Sequence, residues 1–176
     1  MQIEAIELDA EASRRHVLEV IGADGYPDRV SIFVVGSRPR MAALIGWETN
    51  GTAFHETNTM CVVVTDRIPI RATHELLHVV ATNLWGVPQR WINEGLAVYA
   101  AGTWHGHDLH ALCRLLHRRG DLPGLADLTR RFKRLPDRAS YPAVGSFVRY
   151  LAETYGDGAV KTVREGGARA LPVATG

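Results

Sequence analysis

The chain reads as an α+β fold, with a small mixed β-sheet near the N-terminus and a mainly helical remainder. Three observations predict it. Two β-branched runs, Arg29 to Val35 and Thr59 to Thr65, lie in the N-terminal half. Helical periodicity interrupted by Gly and Pro fills nearly everything after Ile70. Where the two regimes meet stands His74-Glu75-Leu76-Leu77-His78, a string whose chemistry needs a helix.

In chain order, a first helix is expected from near Glu11 to Ile21, with Asp9 or Ser13 as the capping residue and Gly22 as the stop. Arg29 to Val35 and Thr59 to Thr65 have the β-branched content of strands. Between them, Ala42 to Phe54 leaves room for one or two short strands around the Asn50-Gly51 turn. Such a sheet has an edge, expected within Thr52 to Val64, where an extended peptide can pair through its backbone. Helices then follow at about 70–84, 89–101, 107–119, 125–135, 142–155 and 158–164, with Pro123, Pro136, Pro142 and the glycines as punctuation. The whole chain, 1–176, reads as one domain: helix plus sheet over 1–69, and a helical part over 70–176 that carries the site.

On a helix, His74 and His78 lie one turn apart on the same face, so both imidazoles can meet one ion. Glu75 is displaced from that face. Its carboxylate can reach a water at the metal without being a ligand, the division of labour that a hydrolytic zinc enzyme requires. The pentapeptide alone arises by chance in roughly one comparable chain in fifty. Its downstream context sharpens it. Gly86 ends the helix and Pro88 stops it resuming, so a new helix should begin near Pro88 or Gln89. From His78 to Leu84 a helix rises about 9 Å, and from Gln89 to Glu94 about 7.5 Å, so an antiparallel pair brings Glu94 level with His78. Gly95 and Ala97 would permit close approach, with Leu96 and Tyr99 facing the core. Two histidines and a glutamate leave a fourth position open, the mark of catalytic rather than structural zinc.

These residues resemble the peptidase MA-like gluzincins. The resemblance rests on His74 to His78, on Pro88-Gln89-Arg90-Trp91-Ile92-Asn93-Glu94-Gly95-Leu96-Ala97-Val98-Tyr99, and more weakly on Tyr141 to Leu151 with Tyr155-Gly156. It spans about Val30 to Gly156. What it implies is a zincin-like, thermolysin-type zinc metallopeptidase, with His74, His78 and Glu94 as metal ligands and Glu75 as general base. It also makes Tyr141 the donor to the oxyanion, although a tyrosine packed in the core would read the same way. A metzincin needs a glycine and a histidine where Ala81 and Leu84 stand, so that branch is excluded.

Composition bounds the partners. A net charge of +1 with 46% hydrophobic and 22% charged residues is ordinary for a globular protein and points to no partner class. Eight cations crowd Arg114 to Arg138; a solvated face is the plain reading, and a docking surface for an acidic partner or nucleic acid is the sharper one. Aromatic interleaving is nearly absent there, so nucleic acid is not expected. Cys61 and Cys113 make no disulfide framework, and Cys61 reads as a buried thiol. Acids in Met1 to Asp9 do not suit a signal peptide, and no run is long enough to span a membrane, which together suit a reducing cytoplasm, although a domain cut from a longer secreted chain would read the same way. Arg dominates Lys, as in a high-GC bacterial genome. The substrate expected is a peptide or protein; oligomeric state is not readable.

Other residues compete for roles. His105, His107 and His110 can join a metal only if their segment folds back onto the site. His55 falls in the edge region and reads as a loop residue. Trp91 and Trp104 should pack beneath the helices, and Asn93 could orient a neighbour of Glu94. Ser146 has no evident histidine partner, which disfavours a serine nucleophile. Two other functions fit the same motif. One is an intracellular regulatory protease of antirepressor type with a single protein target; the other is a non-catalytic zinc-dependent binding module, against which the base at Glu75 argues.

Overall fold

The structure, a computed structural model, describes residues 3–68 and 70–175. Met1 and Gln2, on which the leader reading in part rests, lie outside them. The fold is α+β, mostly helical with a small mixed sheet. The chain divides into two compact units, Met1–Trp85 and Gly86–Gly176.

The first unit opens with α1 (Ile3–Ile21), which starts well before Glu11. Gly22 ends it at φ +61°, its N–H bonded to Glu19 O. Asp9 and Ser13 therefore sit inside α1 and cap nothing there. They serve α3 (Ala72–Trp85) instead. Asp9 Oδ2 accepts from the Ala72 N–H at 3.3 Å, and Ser13 Oγ meets Thr73 Oγ1 at 2.9 Å. The carboxylate satisfies a helix-start donor that has no partner within α3.

β1 (Ser31–Val35), β2 (Gly51–Phe54) and β3 (Thr59–Val63) form a sheet of order β1-β3-β2, with β1 parallel and β2 antiparallel to β3. The region from Ala42 was expected to add strands, but Arg38–Ile45 forms α2. Its signals are local: Ser37 Oγ accepts from Arg40 N, Pro39 sits in the first turn, and Gly46 closes the helix at φ +93°. Strand β3 is central and covered on both faces. Its alternation sends Cys61 and Val63 to the Met41 side, packed with Ile45 and Phe54, and Met60 and Val62 to the other. Of the stretch expected to hold the edge, β2 is an edge strand and β3 is not.

The second unit begins at the turn after α3, where Gly86 adopts φ +79°. The buried Arg164 guanidinium donates to Gly86 O at 3.0 Å and ties this turn to α8 (Asp157–Gly166). Helix α4 (Arg90–Ala101) follows, close to the expected start. It packs on α7 (Asp137–Tyr155) where glycines face side chains. A Cβ on Gly95 would stand 2.9 Å from Val148 Cγ2 and 3.0 Å from Val144 O, and one on Gly145 would collide with Val98. The small residue at 95 thus serves α7 packing. Leu96 is buried as expected, while Tyr99 is half-buried.

The next helix was expected to begin at His107, yet His107–Asp108 forms β5, which pairs with β4 (Thr103–Trp104) as a hairpin. His105 and Gly106 take φ +51° and +84°, the paired positive values of a two-residue hairpin turn. Helices α5 (Leu109–Arg119), α6 (Leu125–Arg131) and α9 (Leu171–Ala174) complete the unit. Pro142 was expected to open a helix but lies inside α7. The turn before it is held by Ala139 and Ser140 N–H groups on Pro136 O at 2.9 and 3.0 Å, so the helix is already nucleated when the proline arrives. Among the described residues no helix is long and apolar enough to cross a membrane.

Candidate metal centre

The first two turns of α3 set the histidines. His74 and His78 direct their Nε2 atoms at one another at 3.2 Å, rings nearly perpendicular with centroids 4.9 Å apart. Two nitrogens bound to one tetrahedral zinc at 2.0–2.1 Å stand about 3.3 Å apart. The pair thus has the spacing that a shared ion requires.

Glu75 lies over the first residue of the edge strand. A Cβ on Gly51 would fall 2.5 Å from Glu75 Oε1. Glycine at 51 leaves the room the carboxylate occupies. Gly51 pairs with Val62 on β3, which puts both on the sheet face toward α3. The same carboxylate helps to push up the pKa of the buried Cys61 thiol, after burial itself. Cys61 and Cys113 are both free thiols.

Glu94 sits one turn into α4, its side chain 13% exposed, with Arg90 Nε 3.7 Å from Oε1. Arg90 also acts on Tyr141, its positive charge favouring the ionised phenol. The Tyr141 ring stacks on Trp104 at 4.7 Å and 23°, and lies 5.4 Å from Phe132. Burial, reinforced by Glu94 and opposed by Arg90, pushes the phenol up to about 12, so it keeps its proton at neutral pH. Trp91 is buried, and its Nε1–H donates to Gln89 Oε1 at 2.9 Å. Asn93 Oδ1 is buried without a hydrogen-bond partner among the described atoms.

One ligand atom from each of His74, His78 and Glu94 lies within 4.8 Å of the others, a group that could hold a metal ion. Imidazole and carboxylate donors suit zinc, and also cobalt, manganese or iron.

The remaining histidines go elsewhere. His55 lies in a 3₁₀ turn after β2, its carbonyl accepting from Asn83 Nδ2 at 3.0 Å. His105 and His107 are exposed on the β4–β5 hairpin. His110 corrects the expectation for Ser146, because its Nδ1 lies 2.6 Å from Ser146 Oγ while its Nε2 faces Glu153 at 3.7 Å. Ser146 is nevertheless in the middle of α7, where backbone N–H groups are committed to the helix and none near it is left to form an oxyanion hole. Arg90, Gly51 and Trp104 are the site-adjacent residues that sequence reasoning assigned no such place. Of these, only the His105-Gly106 turn that delivers Trp104 left a local signal.

Compared with known proteins, the chain matches no family model, no curated protein and no solved structure.

Proposed function

We propose that this chain is a zinc metallopeptidase of gluzincin type with a zincin-like fold, in which His74, His78 and Glu94 hold the metal. The observation that carries the reading is the 3.2 Å separation of the two Nε2 atoms, with a carboxylate ligand atom in the same group. Zinc, when bound, supplies Lewis acidity and a water acidified toward neutrality. The rest falls to the protein's own residues. Glu75, one position beyond His74, takes a proton as general base and returns it to the leaving amine. Tyr141, protonated at neutral pH, donates to the oxyanion. The β2 edge, beginning at Gly51 under Glu75, offers backbone groups to an extended substrate.

An unstructured protein incubated with the purified chain, with and without chelator, tests the proposal. Cleavage should occur, stop with chelator, and be abolished by Glu75→Gln with the metal retained. A fully active Glu75→Gln variant defeats it. A regulatory protease with a single protein target is the second reading. Cleavage of one partner and of no generic substrate would select it. Zinc held with no cleavage would select the binding module.

A further inference from the structure

A pocket of about 370 Å³ in the second unit is lined by five cations: Arg90, Arg130, Arg131, Lys133 and Arg134. No carboxylate is among its lining residues. Asp127 pairs with Arg131 from one side, and Glu94 with Arg90 from the other. Arg130, Lys133 and Arg134 sit on one short stretch of chain, and like charges held this close raise the energy of the folded state unless an anion joins them. The basic run seen in the sequence is thus divided: Arg114, Arg118 and Arg119 lie on α5 and Arg138 on α7, while Arg130, Arg131, Lys133 and Arg134 line a concavity.

We propose that this pocket receives an acidic side chain of the peptide substrate, two or so residues from the bond that is cut. The inference rests on the peptidase reading above. Arg90 precedes Glu94 by one helical turn, a rise of about 6 Å. An extended peptide advances about 3.3 Å per residue, so two residues cover that distance. The volume fits one or two carboxylate side chains and lies at the small end of ligand sites. Nucleic acid fits less well. The aromatic residues lining the pocket, Trp91 and Phe132, are 2% and 7% exposed and offer no open face on which a base could stack. Guanidinium groups, by contrast, pair with carboxylates in a bidentate manner.

Binding is to be measured by fluorescence anisotropy on the full chain carrying Glu75→Gln, which leaves peptides intact, using labelled octaglutamate and octaglutamine. The octaglutamate should bind at least tenfold more tightly. Arg130→Gln with Arg134→Gln should remove that preference, whereas Arg118→Gln with Arg119→Gln, outside the pocket, should leave it. Circular dichroism checks each fold, and Lys133→Gln alone serves if the pocket pair fails to fold. Equal loss from both pairs, no preference for octaglutamate, or tighter binding of a single-stranded oligonucleotide of equal charge overturns the inference. Acidic-peptide binding without cleavage of any protein by the wild-type chain would defeat the peptidase reading and leave the pocket standing. Cleavage with no preference for acidic peptide would do the reverse.

Discussion

Glu75 occupies the space that a side chain on Gly51 would fill, its Oε1 lying 2.5 Å from where a Cβ would stand. The edge strand and the proposed general base are thereby coupled through one missing methyl group. What would have to move is the Glu75 side chain from Cγ outward, since Cγ and Cδ both lie 2.9 Å from that Cβ, while the Gly51 backbone has no positive φ to strain. Gly51→Ala should therefore cost about 1–3 kcal/mol, as overpacking does. It should displace the carboxylate, lowering kcat well below wild type with metal content unchanged. Urea unfolding and turnover on the same preparation check both; wild-type turnover contradicts the assigned place of Glu75.

Tyr141 is held by Trp104 and Phe132, so losing only its hydroxyl should leave the ring in place. Tyr141→Phe should lower kcat by about 10²–10³, the usual effect of removing one oxyanion donor, with KM little changed. A purely structural tyrosine would instead alter the unfolding midpoint and spare kcat.

Gly95 touches α7 and adjoins Glu94. Gly95→Ala places a methyl group against Val148 Cγ2 and the Val144 backbone, and overpacking of this kind costs about 1–3 kcal/mol. Denaturant unfolding should show that loss, and metal affinity should fall with it as Glu94 shifts.

A charged cluster on the second unit sets part of the acid stability. Asp108 caps α5 through the Ala111 N–H at 2.8 Å and pairs with Arg149 at 2.9 Å, and both hold its carboxyl below the usual 3.8, the cap foremost. Arg149 likewise lowers Glu153, with His110 adding to the effect. Depressed carboxylates stabilise the fold above their ordinary values, and that contribution is lost as pH falls through the folded values. Melting temperature should therefore drop as pH falls below about 4. Asp108→Asn should flatten the drop while keeping the cap, and circular dichroism across that range measures it.

The local part of the site was legible and the non-local part was not. His74 and His78 follow from helical spacing, and Glu94 from the helix stop at Gly86 and restart near Gln89, because these signals lie within a few residues of what they control. Gly51 under Glu75, and Arg90 reaching Tyr141, depend on contacts between elements distant in sequence. Asp9 and Ser13 show the same limit. Their capping chemistry was evident, but the helix they serve begins about sixty residues later. Helix α2 and the β4–β5 hairpin are different, since Ser37-Arg38-Pro39 with Gly46, and His105-Gly106, carried local signals in elements too short for periodicity to reveal.

His74, His78 and Glu94 are proposed to bind one zinc together. Metal analysis of the purified chain, set beside Glu94→Ala and Glu75→Gln, decides this. About one equivalent of zinc is expected in the wild type and in Glu75→Gln, with the metal lost or greatly weakened in Glu94→Ala. Undiminished zinc in Glu94→Ala, or none in the wild type after reconstitution, would show that these three residues do not form the site.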